Sequence, residues 1–357
     1  MSPGLFVAIS SHGLGHLSQV APVVNALADT LPGLRLTVQS GLPAGRLGLR
    51  IHHPFELVAE APDVGMLMDG PLTVLAEESL RAHQRFHADW ERRLERQIAL
   101  YEAVRPDLIL ADVPYLPLVA AQQVGIPSVA LCSINWAGIL SGYCPGGAAE
   151  PILRVMIDAY ASARLFIRPE PSMPMPELAG TRPVGPIAAL GTDRSGEILD
   201  RLGLGKGVRL ALVSFGGIDL TIETPWPSLP DTHWILPGDW GVDRDDCHGI
   251  ESLGLPFIDL LRSVDLLITK PGYGAFTEAA CNGTAVVYTA RPDWPESAYL
   301  EDWLHRHGRA RRMPMDRLLG GGLSEAVAAL LDEPVPPVPA PTGIAETADL
   351  LVALLGR

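Results

Sequence analysis

The stretch TKPGYGAFTEA, Thr269 to Ala279, decides the fold because it joins a predicted strand to a predicted helix. The apolar run Leu266 to Ile268 precedes it, and glycines at 272 and 274 bracket Tyr273 at the turn. A glycine-containing turn that leads into a helix directs backbone N–H groups toward an anion. The residues of this turn therefore predict an anion-binding helix start in an α/β domain.

Two charged side chains flank this turn. Lys270 is one of only two lysines in the chain, and Glu278 follows one helical turn after Gly274. A lysine supplies a point charge for phosphate, and the carboxylate can accept hydrogen bonds from a ribose diol. We therefore predict a site for a nucleotide diphosphate. The same residues are also consistent with an ordinary strand–turn–helix whose glycines serve only close packing.

Length and composition indicate a two-domain globular chain. It has 357 residues, of which 47% are hydrophobic and 19% are charged. That length exceeds one ordinary core, and the apolar content argues against disorder. The net charge is −14 without a long basic run, so a nucleic-acid partner is not expected.

Cysteine spacing and hydropathy exclude further classes. The four cysteines are scattered without a CxxC or Cys/His ligand spacing, which predicts neither a zinc site nor a disulfide framework. The first residues, MSPGLFVAIS, do not have the pattern of a secretory signal, and no uncharged apolar run reaches the roughly 18 residues of a membrane span. We expect a cytoplasmic protein, with peripheral membrane contact left open.

The chain opens with a strand–helix–strand unit. Leu5 to Ser10 is predicted as a buried strand, the turn SHGLGH covers residues 11–16, and a helix is expected from Leu17 to Leu31. This is the usual start of a doubly wound domain. The turn has Gly13 and Gly15 without the third glycine of the dinucleotide fingerprint, so a nicotinamide cofactor is disfavoured.

Later segments repeat this organisation. A long solvent-facing helix is predicted over residues 76–104, and the strand DLILAD ends in Asp112, where ligands collect in open α/β sheets. A proline-rich segment between Arg168 and Pro186 predicts a linker. A second strand, Leu210 to Ser214, runs into Gly216 and Gly217. We predict domains at 1–187 and 188–341 with a final helix in 342–357, the two Rossmann-like domains facing across a ligand cleft.

Several of these segments together resemble the GT-B type of nucleotide-sugar glycosyltransferase, including plant small-molecule glycosyltransferases and the peptidoglycan N-acetylglucosaminyltransferase. The N-terminal part of plant arabinokinase looks similar too. The matching segments are SHGLGHLSQVAP, DLILADVPYLPLVAAQQVGIP, VGPI, VSFGG and LPFIDLLRSVDLLITKPGYGAFTEAACNGTAVVY. The last is the most specific, since spacing and flanking pattern agree along its whole length.

The resemblance assigns roles in the N-terminal domain. His16 falls on the loop histidine that acts as general base in many inverting members, and imidazole titrates in the range that this role needs. Asp112 falls on the acid that orients this histidine. His12 lies in the same loop and competes with His16 as the base, or holds the donor phosphate. Capping or loop packing is the alternative for each.

In the C-terminal domain the resemblance implies a donor site. Lys270 would contact phosphate, Glu278 ribose and Glu296 the donor sugar; Ser297 departs from the glutamine frequent in the family. Backbone N–H groups of the two glycine turns would face the diphosphate, namely Gly216, Gly217, Gly272, Tyr273 and Gly274. Phe257 is a weaker candidate near the base. Leaving-group stabilisation would come from helix N-termini and Lys270, with neither metal nor cofactor.

The predicted function is therefore a metal-independent, inverting glycosyltransferase, with UDP the favoured nucleotide and a small molecule or lipid as acceptor. Two alternatives are a nucleotide-sugar 2-epimerase of the same fold and a non-catalytic nucleotide-sugar-binding protein. The DxD-like pair Asp243 and Asp245 is interpreted as a solvated loop rather than a metal site. The sequence does not define the oligomeric state.

Overall fold

Two parallel β-sheets form the framework. The computed structural model describes residues 2–216 and 226–356. The strands are β1 (Gly4–Ile9), β2 (Arg35–Gln39), β3 (Glu56–Val58), β4 (Met68–Asp69), β5 (Thr73–Val74), β6 (Leu108–Asp112), β7 (Ser128–Leu131), β8 (Leu165–Pro169), β9 (Arg182–Val184), β10 (Arg209–Val213), β11 (Thr232–Leu236), β12 (Cys247–Gly249), β13 (Leu266–Thr269), β14 (Ala285–Tyr288) and β15 (Ala310–Arg312).

Helices follow most of these strands. They are α1 (Gly15–Thr30), α2 (Ala44–Gly48), α3 (Ala76–Ala88), α4 (Trp90–Val104), α5 (Leu116–Val124), α6 (Trp136–Tyr143), α7 (Glu150–Ser162), α8 (Ser195–Leu202), α9 (Phe257–Ser263), α10 (Tyr273–Asn282), α11 (Ser297–His307), α12 (Met315–Gly320), α13 (Leu323–Asp332) and α14 (Gly343–Leu355). Short 3₁₀ turns occur at Gly147–Ala149, Gly238–Trp240 and Glu251–Leu253.

Each sheet changes its winding direction at one place. The first has seven strands in the order β3-β2-β1-β6-β7-β8-β9, and the second has six in the order β12-β11-β10-β13-β14-β15. All pairings in both sheets are parallel. The order reverses between β1 and β6, and between β10 and β13. Loops diverge at such points and leave a crevice beyond the strand ends, so the predicted α/β two-sheet fold is confirmed.

The strands at these points are buried on both faces. All six residues of β1, GLFVAI, are buried, as are all four of β13, LLIT. Near-continuous apolar runs are expected where helices cover both sides of a parallel sheet. A separate antiparallel hairpin, β4–β5, projects from the first domain.

The helix predicted over residues 76–104 is divided in two. Asp89 ends α3 and precedes α4 with φ −110° and ψ 22°, outside the helical region. Its carboxylate lies 2.5 Å from Arg92 and 3.8 Å from Arg93 in the first turn of α4. An acidic side chain is favoured at a helix start, so Asp89 stabilises a new helix where the periodic pattern predicted one continuous helix.

The two domains meet through helices α1 and α10. A Cβ atom at Gly274 would lie only 2.1 Å from Ser18 Oγ and 2.8 Å from Ser18 Cβ, so the two backbones approach as closely as glycine permits. The final helix α14 also packs on α1, and Gly343 N–H donates to the Pro186 carbonyl at 3.1 Å. One apolar cluster therefore runs from the first sheet through α1, α10 and α14 into the second.

We predict that Gly274→Ala destabilises the chain by about 1–3 kcal/mol, the usual cost of overpacking a closed contact. The free energy of unfolding from denaturant titration is the measurement. Gly272→Ala is the matched control, because no atom lies within 4 Å of its Cβ position and its φ of −171° suits any residue. Adding Ser18→Gly should restore part of the loss. Equal stability of both alanine variants would contradict the close contact.

Candidate functional site

The two switch points bring the predicted residues of each domain together. In the first domain, Asp112 is the last residue of β6 and pairs in register with Ile9 of β1, while His16 lies in the first turn of the helix after β1. In the second, Gly216 follows β10 and Lys270 follows β13. Parallel strands end at the same sheet edge, which explains how residues distant in sequence converge. Gly217 lies outside the described residues.

His16 and Asp112 form a buried pair. His16 Nδ1 lies 2.9 Å from Asp112 Oδ1, and the Asp112 side chain is fully buried. Among the described residues, neither His16 Nε2 nor Asp112 Oδ2 has a hydrogen-bond partner. An imidazole held through Nδ1 presents Nε2 for proton transfer, as in a hydrolase triad.

The charge of the aspartate governs this histidine. Burial alone lowers the pKa of His16, but the hydrogen bond and the charge of Asp112 outweigh it, so the pKa lies above 6.5. Burial raises the pKa of Asp112, and the hydrogen bond from His16 opposes that rise. Strongly interacting groups titrate as a pair, so the pKa of each side chain depends on the protonation state of the other.

Cys132 lies beside this pair. Its Sγ is 3.7 Å from His16 Nδ1, and the His, Asp and Cys donor atoms all lie within 4.8 Å of one another. Metal binding needs a thiolate. Burial, together with the Asp112 charge, raises the pKa of Cys132 well above its usual value. The cluster thus combines the His16–Asp112 hydrogen bond with a buried thiol.

His12 has a different environment from His16. Its ring stacks on Trp294 with centroids 5.7 Å apart and meets Trp136 edge-on at 5.4 Å. Burial, with further contributions from the positive charges of His16, Arg291 and Lys270, lowers its pKa to about 3. A neutral imidazole of such low basicity is a weak proton acceptor. His12 thus packs against aromatic rings from both domains, Trp136 of the first and Trp294 of the second.

Glu296 belongs to the second domain, and its side chain contacts the first. Its carboxylate accepts hydrogen bonds from Ser133 Oγ at 2.6 Å and from Trp294 Nε1 at 3.3 Å. Ser133 is itself held by Gln19 through contacts of 3.0 and 3.1 Å. Burial raises the pKa of Glu296. Both oxygens thus already have partners in the protein, near the edge of the His16 site.

Lys270 and the start of α10 lie opposite. A Cβ at Gly216 would lie 3.9 Å from Lys270 Nζ, so the lysine reaches over the turn that follows β10. Gly216 has φ +83°, a conformation that favours glycine. Burial and the nearby Arg291 lower the pKa of Lys270 to about 8. Gly272 is the N-cap of α10, and the following N–H groups lack helical acceptors.

Tyr273 has a side-chain role that the sequence did not indicate. Its hydroxyl donates to the Glu170 carbonyl at 3.1 Å and accepts from the Ile187 N–H at 2.9 Å. These partners lie at the two ends of the proline-rich segment. The ring therefore attaches α10 to the interdomain connection, and only its backbone N–H is placed to face a ligand.

Glu278 is engaged by an arginine from the other domain. Arg50 binds it with both nitrogens, at 2.5 Å for Nη1–Oε1 and 3.1 Å for Nη2–Oε2. Asn25 holds the Arg50 carbonyl at 2.8 Å, and the guanidinium lies 6.0 Å from the Phe257 ring centroid. The carboxylate predicted to bind ribose, that of Glu278, thus forms an ion pair between the domains. Phe257 lies beside this pair at the start of α9.

Several residues near the site belong to none of the sequence motifs described above. Asp63 accepts hydrogen bonds from Ser10 Oγ at 3.1 Å and Trp136 Nε1 at 2.7 Å, within electrostatic reach of His16. Arg291 packs on Trp294 and is described further below. These residues lie in irregular loops, where periodicity gives no signal. The DxD-like residues Asp243 and Asp245 are exposed in the loop before β12, away from this site.

The solved structures that this chain resembles include several glycosyltransferases. The glycosyltransferase of kitacinnamycin superposes with a TM-score of 0.67 at 20% identity, covering 99% of each chain. CalG4, the calicheamicin glycosyltransferase, gives 0.62 at 16%, covering 100% of this chain and 99% of that one. UGT89C1 of Arabidopsis thaliana, complexed with quercetin, gives 0.62 at 16% over 100% of both. The chain has the GT-B fold. At such identities the likeness establishes the fold alone.

Sequence comparison adds one relative. L-arabinokinase of Arabidopsis thaliana is 24% identical over 311 residues, which is 83% of this chain and 29% of that protein. The chain thus spans less than a third of the length of this relative. No family model matches the chain. Within the described residues, no helix of this GT-B chain has the length and apolarity to cross a membrane.

We predict that Asp112→Asn lowers the pKa of His16. The wild-type value lies above 6.5 because of Asp112, whereas burial, which remains in the variant, acts in the opposite direction. NMR titration of the imidazole signals measures the value directly. Asp63→Asn is the comparison, since its charge contributes less to His16. An unchanged His16 pKa in Asp112→Asn would contradict the proposed pairing.

Proposed function

We propose that this chain is a metal-independent, inverting glycosyltransferase that uses a nucleotide diphosphate sugar, with UDP as the nucleotide. The carrying observation is the His16–Asp112 hydrogen bond at the switch point of one sheet, together with Lys270 and the start of α10 at the switch point of the other. A proton acceptor and an anion-binding helix start on opposite sides of a cleft are what sugar transfer from a diphosphate requires.

The proposed reaction begins at His16. Nε2 takes the proton of an acceptor hydroxyl or amine, whose freed electron pair attacks the anomeric carbon. The bond from that carbon to the diphosphate oxygen breaks from the opposite side, and the electrons leave with the nucleotide diphosphate. Asp112 stabilises the imidazolium that forms. Lys270 and the α10 N-terminus stabilise the charge on the leaving group.

The choice of UDP and of a small acceptor is supported by other proteins of this architecture. UGT89C1 of Arabidopsis thaliana is described in complex with UDP, and a further neighbour is a UDP-glucosyltransferase of Polygonum tinctorium capable of glucosylating indoxyl. We propose a small-molecule acceptor on that basis, with a lipid acceptor as the competing candidate. Both would enter beside Trp136 and Trp294, the aromatic walls around His12.

A role of Glu278 at the ribose requires a rearrangement. Its side chain is 3% exposed and bound by Arg50, so a ribose diol reaches the carboxylate only when the guanidinium moves aside. Arg50 remains 24% exposed and can rotate toward solvent. We therefore propose that donor binding exchanges the Arg50 contact for ribose hydroxyls.

The 2-epimerase alternative gains one observation. Epimerisation at C2 needs additional acid–base groups, and Asp63 and Glu296 are buried carboxylates with pKa values raised by burial near His16. Both accept hydrogen bonds from tryptophan rings, which favours a positioning role. Incubation with a nucleotide sugar alone separates the cases, because only an epimerase yields the C2 epimer of the intact donor.

We expect calorimetry to detect binding of UDP, with GDP and dTDP as comparisons. Lys270→Met should weaken UDP binding about tenfold or more, the value of a lost charge-assisted hydrogen bond. Wild-type affinity should fall as pH rises through about 8, where the free protein loses the Lys270 proton. This dependence should be absent in Lys270→Met.

The control for this experiment is Lys206→Met, which removes the other, exposed lysine. Comparing UDP with 2′-deoxy-UDP tests Glu278, since Glu278→Gln should reduce any preference for the ribonucleotide. Failure of the wild type to bind any of the three diphosphates would refute the donor site. Equal affinity of the wild type for UDP and 2′-deoxy-UDP would contradict a contact between Glu278 and the ribose.

His16→Ala should lower the transfer rate about 10²–10⁴-fold, the usual contribution of a general base. Its UDP affinity should stay close to wild type, because Lys270 and α10 hold the nucleotide. Wild-type kcat/KM, which reports groups of the free enzyme, should increase with pH along a limb centred above 6.5, since His16 acts unprotonated. Release of nucleotide diphosphate is the assay. An equal loss of rate in His12→Ala would contradict the choice of His16.

A further inference from the structure

Arg291 is a buried cation that forms no ion pair within 4.0 Å among the described residues. Its side chain belongs to the loop between β14 and α11, and the residue is 5% exposed. Its Nε has no hydrogen-bond partner among the described residues. A buried polar group of this kind calls for a physical explanation.

The contacts that Arg291 does make are weak ones. The guanidinium carbon lies 4.0 Å from the Trp294 ring centroid, and Nη2 lies 3.3 Å from Met68 Sδ in the β4–β5 hairpin. A cation–π contact and a thioether acceptor fix the direction of the side chain. They do not replace the hydration that a buried charge gives up, which costs several kcal/mol.

Lys270 is a second cation at this site, and it is partly exposed. In the described parts of the chain, neither Lys270 nor Arg291 takes part in any ion pair within 4.0 Å. Arg291 is close enough to depress the pKa of Lys270 by repulsion. Two like charges held together in a partly dry site are stabilised by a ligand that carries two negative charges.

Two acidic groups act on these cations from a distance, but neither forms an ion pair with them among the described residues. Glu296 is within electrostatic reach of both cations, but its oxygens accept hydrogen bonds from Ser133 and Trp294. Asp293 lies next to Arg291 in the chain, and its carboxylate accepts a hydrogen bond from the Tyr143 hydroxyl at 3.2 Å. In the described chain, the hydrogen bonds of both carboxylates therefore go to uncharged groups rather than to the two cations.

We infer that Arg291 and Lys270 form a two-cation site for the diphosphate of the donor, Arg291 being the second residue that neutralises the leaving group. This inference rests on the proposed function and extends it to a residue outside the TKPGYGAFTEA stretch. A diphosphate carries at least two negative charges, and guanidinium binds phosphoryl oxygens in a planar, two-pronged geometry. The pair thus supplies the compensation that a divalent cation provides in metal-dependent transferases.

The test compares Arg291→Gln with wild type by calorimetry, using UDP, UMP and inorganic pyrophosphate. Loss of one charge-assisted contact should lower the affinity for UDP and for pyrophosphate about tenfold to hundredfold. The affinity for UMP, which lacks the second phosphate, should fall by less than about threefold on the same scale. Arg291→Lys should restore part of the affinity. Arg306→Gln, an equal charge change at the far, exposed end of α11, should have no effect.

Each outcome decides between explanations. Unchanged UDP and pyrophosphate binding in Arg291→Gln would overturn the inference, while UDP binding by wild type would leave the donor site intact. Pyrophosphate binding that depends on Arg291 without any sugar transfer would support the cation pair and refute the transferase. If circular dichroism shows that Arg291→Gln is unfolded, the pyrophosphate affinity of Arg291→Lys is measured instead. This variant keeps the positive charge, so it should bind pyrophosphate more tightly than Lys270→Met does. Equal affinities of the two variants would overturn the inference.

Discussion

The close approach of α1 and α10 determines the rest of this structure. Ser18 and Gly274 meet at a distance that excludes a Cβ on the second helix, so the two helix starts lie side by side. Each start follows the strand at the switch point of its own sheet. The pairs Arg50–Glu278, Ser133–Glu296 and His12–Trp294 all cross the same boundary.

The charged groups around His16 differ from those around Lys270. Buried carboxylates cluster around His16 on the first domain, where Asp112 and Asp63 raise its basicity. On the second domain, Lys270 and Arg291 lie without ion-pair partners among the described residues, next to the positive end of α10. A group that must lose a proton and a group that must leave with negative charge need such opposite surroundings. The proposed chemistry follows from this division more directly than from any single residue.

Sequence patterns located the framework because burial dictates them. The apolar runs of β1 and β13 and the turns that follow them can be identified without coordinates, since a parallel strand covered on both faces must be apolar. The break at Asp89 was missed because helical periodicity continues across it. Tyr273 was assigned only to ligand contact, yet its hydroxyl bonds Glu170 and Ile187, partners too distant in sequence for any local pattern to reveal.

By itself, the sequence determined the two Rossmann-like sheets, the glycine turns at their strand ends and the identity of His16, Asp112 and Lys270 as candidates. These depend on local periodicity and on motifs within a single strand–turn–helix unit. Only the tertiary structure decided that Asp112 faces Nδ1 of His16, that Arg50 occupies Glu278, and that Arg291 lies buried without an ion-pair partner in the described chain. Those contacts join residues that are far apart in the chain, so the packing of the two domains sets their distances. Burial then removes water from the charged side chains and makes each contact or missing partner matter.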